Sequence, residues 1–437
     1  MSCVDSGPGN QRERKSSLRI LMLSQVYHPD VASAGQHLTD LGTALAARGH
    51  KVRVISSRRA YDDPATKFCP RETYRGVEIV RVWCAGFGKG AKWRRAVDFA
   101  SFIISSFVRL LIEPKPDVVI ALTAPPLISF LGALGAVLRG CRFVYWIMDL
   151  NPDEAIAAGW LRPRSLAARF LERISRFALG HASEIVVLDR FMCDRLLAKG
   201  VPKQKISILP PWAHDEAVRF DAESRREFRR AHGLENKFVV MYSGNHSPCH
   251  PLTTVLDAAK ALAADKKIAF CFIGGGSEFR KIQQQVGPSL PNVICLPYQP
   301  LNKLAGSLSA ADLHVVAMGN PFVGMVHPCK IYNIMSVGVP VLYVGPEQSH
   351  LADILREVAV PGAYESLRHG DVTGAVGAIQ RMAARHSESR VDYGNLPAQF
   401  AQGELLPPLI AVIENPVRAG ALRPAASQGE TAAVTMK

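Results

Sequence analysis

The chain of 437 residues has no Cys-x-x-Cys pair, and its nine cysteines are odd in number. That excludes a disulfide framework. Cys141, Cys271 and Cys295 sit inside apolar runs, as reduced core cysteines do, so a reducing compartment is expected. The first 17 residues carry the basic cluster Arg12, Arg14 and Lys15 with no apolar stretch after it. No secretory signal peptide is expected from that pattern. Zinc-finger spacing and RNP-type aromatic motifs are missing too, so nucleic acid is not an expected partner. A P-loop is lacking, because Gly88-Lys89 is followed by Gly90 where Ser or Thr would stand. The run Ile273-Gly274-Gly275-Gly276 fails the dinucleotide fingerprint, whose third glycine falls on Phe279. ATP hydrolysis and hydride transfer therefore lose their usual signatures. Residues 118–138 form an uncharged apolar run long enough to span a bilayer, but Pro125-Pro126 divides it. A buried strand followed by a helix is the expectation.

What is present is ordinary globular composition, 48% hydrophobic and 21% charged, which excludes a disordered chain. The length exceeds what one core supports, so two domains are expected. Of the net charge of +14, residues 1–212 carry +13 and residues 213–437 only +1. A basic first half suits an anionic surface or a phosphorylated substrate. Short apolar runs at 18–24, 51–56, 77–83, 118–122, 143–149 and 184–188 alternate with helical patterns, predicting a parallel, helix-covered sheet. After Pro210-Pro211 and a charged amphipathic stretch at 223–232 the pattern restarts, with strands at 238–242, 268–273, 293–296, 313–317 and 339–344. The expected organisation is a disordered tail at 1–17, an α/β domain at 18–212 and a linker at 213–235. A second α/β domain follows at 236–395, then a helix at 396–416. Residues 417–437 are small, polar and unpatterned, which predicts a disordered tail.

In open parallel sheets, ligands gather where strand ends meet helix N-termini. Gly244, Asn245, His246 and His250 follow the first strand of the second domain, where amides and imidazoles suit a phosphate. A metal site at His246, Cys249 and His250 matches no zinc spacing and lacks a fourth ligand, so no metal is expected. Gly275 and Gly276 allow backbone to approach a ligand closely. The most informative segment is 324–341, GMVHPCKIYNIMSVGVPV. Lys330 at a helix start can neutralise a diphosphate, and Asn333 one turn on can reach a ribose hydroxyl.

That segment, with its Pro-x-Lys start and Gly-x-Pro-Val end, resembles the signature of GT-B glycosyltransferases, particularly family 4 members that build bacterial exopolysaccharide and O-antigen. The opening LRILMLSQVYHP, the Arg48-Gly49-His50-Lys51-Val52 turn and the run 243–259 extend the resemblance over residues 18–415. It implies two Rossmann-like, doubly wound domains facing a central cleft, a UDP- or GDP-sugar donor, and retention of configuration with no cofactor. Nucleotide-sugar 2-epimerases share the architecture, and a non-catalytic sugar-nucleotide-binding relative is a further alternative. Within the resemblance, Tyr298 joins the donor-binding residues, and Gly35 and Gln36 mark the acceptor side. The family's paired glutamates would fall near Met325 and Asn333, so neither carboxylate is present. Asp149 becomes the acidic candidate for catalysis, with capping of a helix at 153–158 as its alternative role.

Lys92, Trp93, Arg94 and Arg95 precede an apolar helical stretch at 96–112. This pattern fits an interfacial anchor, with Phe99, Phe102 and Ile103 inserted shallowly, and equally a buried helix. A lipid-diphosphate-linked glycan acceptor, implied by the resemblance, would suit an anionic membrane surface. Peripheral attachment to the cytoplasmic face of the plasma membrane is expected.

Overall fold

The computed structural model describes residues 17–415 apart from 31, 62, 64, 89–91, 214–217, 288–289 and 386–389. The tails expected at 1–17 and 417–437 lie outside the described residues except for Ser17. The strands are β1 (Arg19–Leu23), β2 (Lys51–Ser57), β3 (Arg71–Tyr74), β4 (Val77–Val82), β5 (Val118–Ala121), β6 (Arg142–Trp146), β7 (Glu184–Val187) and β8 (Ile206–Ile208). A second series comprises β9 (Phe238–Asn245), β10 (Ile268–Gly275), β11 (Val293–Leu296), β12 (Leu313–Ala317), β13 (Val341–Val344) and β14 (Tyr364–Leu367). The first eight form one sheet in the order β3-β4-β2-β1-β5-β6-β7-β8, and the last six form another, β11-β10-β9-β12-β13-β14. The chain divides into two compact units, one holding residues up to Ile120 with Leu134–Arg142, the other Ala121–Ala133 and everything from Phe143.

In the first unit, β1 pairs parallel with β2, and β2 with β4. The intervening helix Ser33–Ala47 buries Leu38, Leu41 and Leu45 on one face, and Gly49 turns the chain at φ +90°. The sheet is not wholly parallel as expected: β3 pairs antiparallel with β4. Arg75 and Gly76, at φ 46° and 82°, give the doubly positive turn that matches strand twist in a tight hairpin.

The second unit's six-stranded sheet is parallel at every pairing. Side chains alternate across it. Phe238, Val240 and Tyr242 enter one core layer while Val239 and Met241 enter another, and β10 repeats this with Phe270 and Phe272 against Ala269 and Cys271. Burial on both faces explains why these strands read as continuous apolar runs.

Residues 213–235, expected as a linker, contain the helix Ala222–Ala231. Buried Asp312 accepts from Arg225 (2.5 Å) and Arg229 (3.0 Å), and also from the Val239 backbone N–H (2.8 Å). Both arginines hold its carboxyl below the usual range against the cost of burial. The final helix is shorter than expected, Gln402–Glu414, with a 3-10 turn at Pro397–Phe400 before it and Pro407 and Pro408 within.

Candidate functional site

The loops that end β9 and β10 touch backbone to backbone. A Cβ on Gly274 (φ +137°) would lie 2.0 Å from the Gly244 carbonyl oxygen, and one on Gly276 (φ +124°) 2.3 Å from that of His246. Only glycine fits these two places. Gly244 and Asn245, expected as loop, are the last residues of β9, paired with Gly274 and Gly275. A Cβ on Gly275 would meet the Tyr298 ring at 3.1 Å, and one on Gly244 would meet Lys330 Nζ at 3.2 Å.

Lys330 begins the helix Lys330–Val337, which Gly338 closes in the left-handed conformation. Its Nζ lies 3.6 Å from the centroid of the Tyr242 ring. Among the described residues the buried ammonium has no hydrogen-bond partner, and neither do Asn333 Oδ1 and His246 Nε2. Burial pushes the Lys330 pKa down to about 7. A buried cation offered only a ring face is incompletely satisfied, because cation–π attraction replaces only part of its hydration.

The two histidines expected to hold a phosphate are largely withdrawn from solvent. His246 is fully buried, packed edge-on to Tyr242 at 4.6 Å and near Phe279 at 4.9 Å. Its Nδ1 lies 2.9 Å from the Gly244 carbonyl oxygen. His250 Nδ1 lies 3.0 Å from that of Ala317. Burial, then the nearby Lys330 charge, lowers both to about 3, so both are neutral at pH 7. The structure thus brings Gly244, Asn245, His246, Gly275, Gly276, Tyr298, Lys330 and Asn333 together, with His250 on the same loop.

Asp149 follows β6 in the same unit. It does not cap the helix Asp153–Ala157, whose N-cap is Pro152 without a side-chain bond. Burial, and then the charge of Glu154, raise its carboxyl well above the usual range. Cys249 Sγ contacts Glu154 Oε1 at 3.7 Å, which joins this acidic pair to the loop after β9. Glu154 escaped sequence reading because it looks like an ordinary first-turn helix carboxylate. Gly35 and Gln36 lie in the first unit, where a Cβ on Gly35 would lie 3.3 Å from the backbone of Val26 and Tyr27.

A second cluster was missed. Asp189, His327 and His350 bring potential ligand atoms within 4.8 Å of one another. Each follows a different strand in sequence, so no local spacing announces it.

The helix expected at 96–112 runs Lys92–Ile112. Phe102 is core, contrary to shallow insertion, whereas Val97, Ile104, Val108 and Leu111 form an exposed stripe and Trp93 is 60% exposed. The Arg94 guanidinium lies over Trp93 and that of Arg95 over Phe99. Among the described residues no helix is long and apolar enough to cross a membrane.

Residues 34–212 match the family described as "Glycosyl transferase 4-like domain". Over 409 residues the chain is 26% identical to WcaI of Escherichia coli (strain K12), named as a colanic acid biosynthesis glycosyl transferase, covering 88% of this chain and 98% of that one. The chain is a glycosyltransferase of the GT-B fold. The chain superposes on sucrose-phosphate synthase from Thermosynechococcus elongatus with a TM-score of 0.69 at 17% identity, over 92% of this chain and 100% of that one. HepE of Anabaena in complex with UDP-glucose matches with a TM-score of 0.65 at 14% identity, over 91% and 99%. The 2-epimerase alternative gains no support from these relatives.

Proposed function

We propose that this glycosyltransferase moves a sugar from a UDP- or GDP-activated donor onto a lipid-diphosphate-linked glycan, with retention, in the assembly of an envelope or extracellular polysaccharide. The observation that carries the donor reading is Lys330, a buried ammonium without a hydrogen-bond acceptor beside the glycine backbone of β9 and β10. A diphosphate supplies the missing oxygens. Asn333 takes the ribose hydroxyls where the family has a glutamate, Tyr298 and Asn245 border the sugar, and Asp149 serves the reacting centre. The UDP-glucose complex of HepE supports a nucleotide-sugar donor. The name of WcaI supports a polysaccharide acceptor. Gly35 and Gln36 would meet that acceptor, while Trp93, Arg94, Arg95 and Lys92 would hold the protein to the cytoplasmic face of an anionic membrane.

The test is a panel of UDP- and GDP-sugars screened for thermal stabilisation, followed by incubation of the best donor with undecaprenyl-diphosphate-linked glycans. Nucleotide released only when acceptor is supplied is the expected result. Stabilisation by no nucleotide sugar would overturn the donor reading, and sugar isomerised without acceptor would overturn transfer.

A further inference from the structure

Asp189 stands two residues beyond β7, His327 three residues before the helix Lys330–Val337, and His350 at the start of the helix His350–Arg356 after β13. All three belong to the second unit. Asp189 divides its oxygens: Oδ1 accepts the Met192 N–H at 2.8 Å and caps the helix Arg190–Ala198, while Oδ2 faces the two imidazoles. His327 Nδ1 lies 2.8 Å from Oδ2, and His350 Nδ1 lies 3.6 Å from it. The imidazole rings are stacked, with centroids 3.9 Å apart. His327 Nε2 lies 2.6 Å from the Tyr332 hydroxyl, which fixes the ring from its far side.

The unexplained member is His350. It is 4% exposed, and neither ring nitrogen has a hydrogen-bond partner among the described residues. A buried imidazole carries one donor and one acceptor, and leaving both unmet is costly. We propose that Asp189, His327 and His350 bind a first-row divalent metal ion, with zinc as the best fit. Two imidazoles and one carboxylate oxygen suit zinc and cobalt better than magnesium or calcium, which prefer all-oxygen shells. Ligand atoms about 2.0 Å from a tetrahedral zinc stand about 3.3 Å apart, and the two distances to Oδ2 straddle that value. Burial holds His350 neutral, with a lone pair free to coordinate. Metal at His327 Nδ1 leaves Nε2–H to donate to the Tyr332 oxygen, the outer-shell bond that orients metal-binding histidines. Water fills the fourth position. The ion would fasten three chain segments distant in sequence, one of them leading directly into the helix that starts with Lys330.

The test uses the full-length protein, freed of metal by chelator and titrated with cobalt, followed by zinc competition and a melting curve at each step. Wild type should show the visible bands of tetrahedral cobalt at one equivalent, and a melting temperature that rises with metal concentration. His350→Gln and Asp189→Asn should lose both effects, the latter keeping an oxygen for the Met192 cap. Tyr332→Phe should weaken binding by about ten- to a hundredfold. His181→Gln, on an exposed helix end, should bind as wild type. Failure of wild type to bind one equivalent, or wild-type binding by a folded His350→Gln or Asp189→Asn, would overturn the site. Because no nucleotide is present, either result leaves the donor reading unaffected.

Discussion

Lys330 Nζ rests 3.6 Å from the centre of the Tyr242 ring, and that aromatic face holds the ammonium where no carboxylate or carbonyl does among the described residues. Replacing the lysine by alanine should weaken nucleotide-diphosphate-sugar binding by about 1.5–3 kcal/mol, the scale of a charge-assisted hydrogen bond. That is roughly a ten- to a hundredfold rise in Kd by calorimetry. Unchanged affinity in a folded variant would remove Lys330 from the donor site.

The same lysine makes binding and stability depend on pH. Its folded pKa of about 7 lies below the ordinary 10.5, so the unfolded chain binds the extra proton between those values. Stability of the ligand-free protein should therefore rise with pH across that window, by up to about 1.4 kcal/mol per pH unit from this group. Lys330→Met should lack this contribution, which denaturant titrations of both proteins at pH 7 and 9 would measure. A diphosphate restores the charge, so UDP binding at pH 8 to 9 should take up a proton. Calorimetry in buffers of different ionisation enthalpy reads that uptake directly, and none is expected in Lys330→Met.

Asp149→Asn keeps the size of a carboxyl that burial and Glu154 hold partly protonated near neutrality. If that group exchanges a proton or meets charge in the transition state, kcat should fall about a hundredfold or more while donor affinity stays within a few-fold. Equal kcat values would return Asp149 to a packing role.

Gly274→Ala should destabilise the fold by more than about 1–3 kcal/mol, since it combines a disfavoured φ with a backbone clash at Gly244. Gly287→Ala, whose Cβ meets nothing within 4 Å, is the matched control. Chemical denaturation of the two variants measures the difference.

Membrane attachment separates by side chain. Gln at Lys92, Arg94 and Arg95 should release the protein from anionic vesicles, at about 1 kcal/mol for each charge near the surface. Ser at Ile104 and Val108 should weaken binding at high salt with little change in melting temperature, whereas Phe102→Ser should unfold the first unit. Sedimentation with vesicles reads attachment, and wild type left in the supernatant at low salt would sink it.

Most strands were legible because burial on both faces keeps them apolar: the runs 118–122 and 339–344 contain β5 and β13, buried at every position. The strands that were missed lack that mark. Arg71–Tyr74 is an edge strand whose residues are exposed or half-buried, Ile206–Ile208 has three residues, and Tyr364–Leu367 is half-exposed. Lys330 and Asn333 stood out because one short segment carries both. Asp189, His327 and His350 did not, since 138 residues separate the first two and only the fold assembles them. On the helix Lys92–Ile112 the sequence has two apolar stripes, and periodicity alone does not say which one faces the core.

The meeting of Gly244 with Gly274 also bears on how donor choice could be redesigned. Where the strand ends lie so close that Gly274 accepts no Cβ, the wall beside Lys330 is a backbone surface with no side chain to vary. The exposed side chains of Asn245 and Tyr298 border that surface, against Gly276 and Gly275. If the diphosphate lies there as proposed, a library confined to those two positions would sample different sugars on an unchanged grip, so selectivity could drift without the scaffold having to be rebuilt.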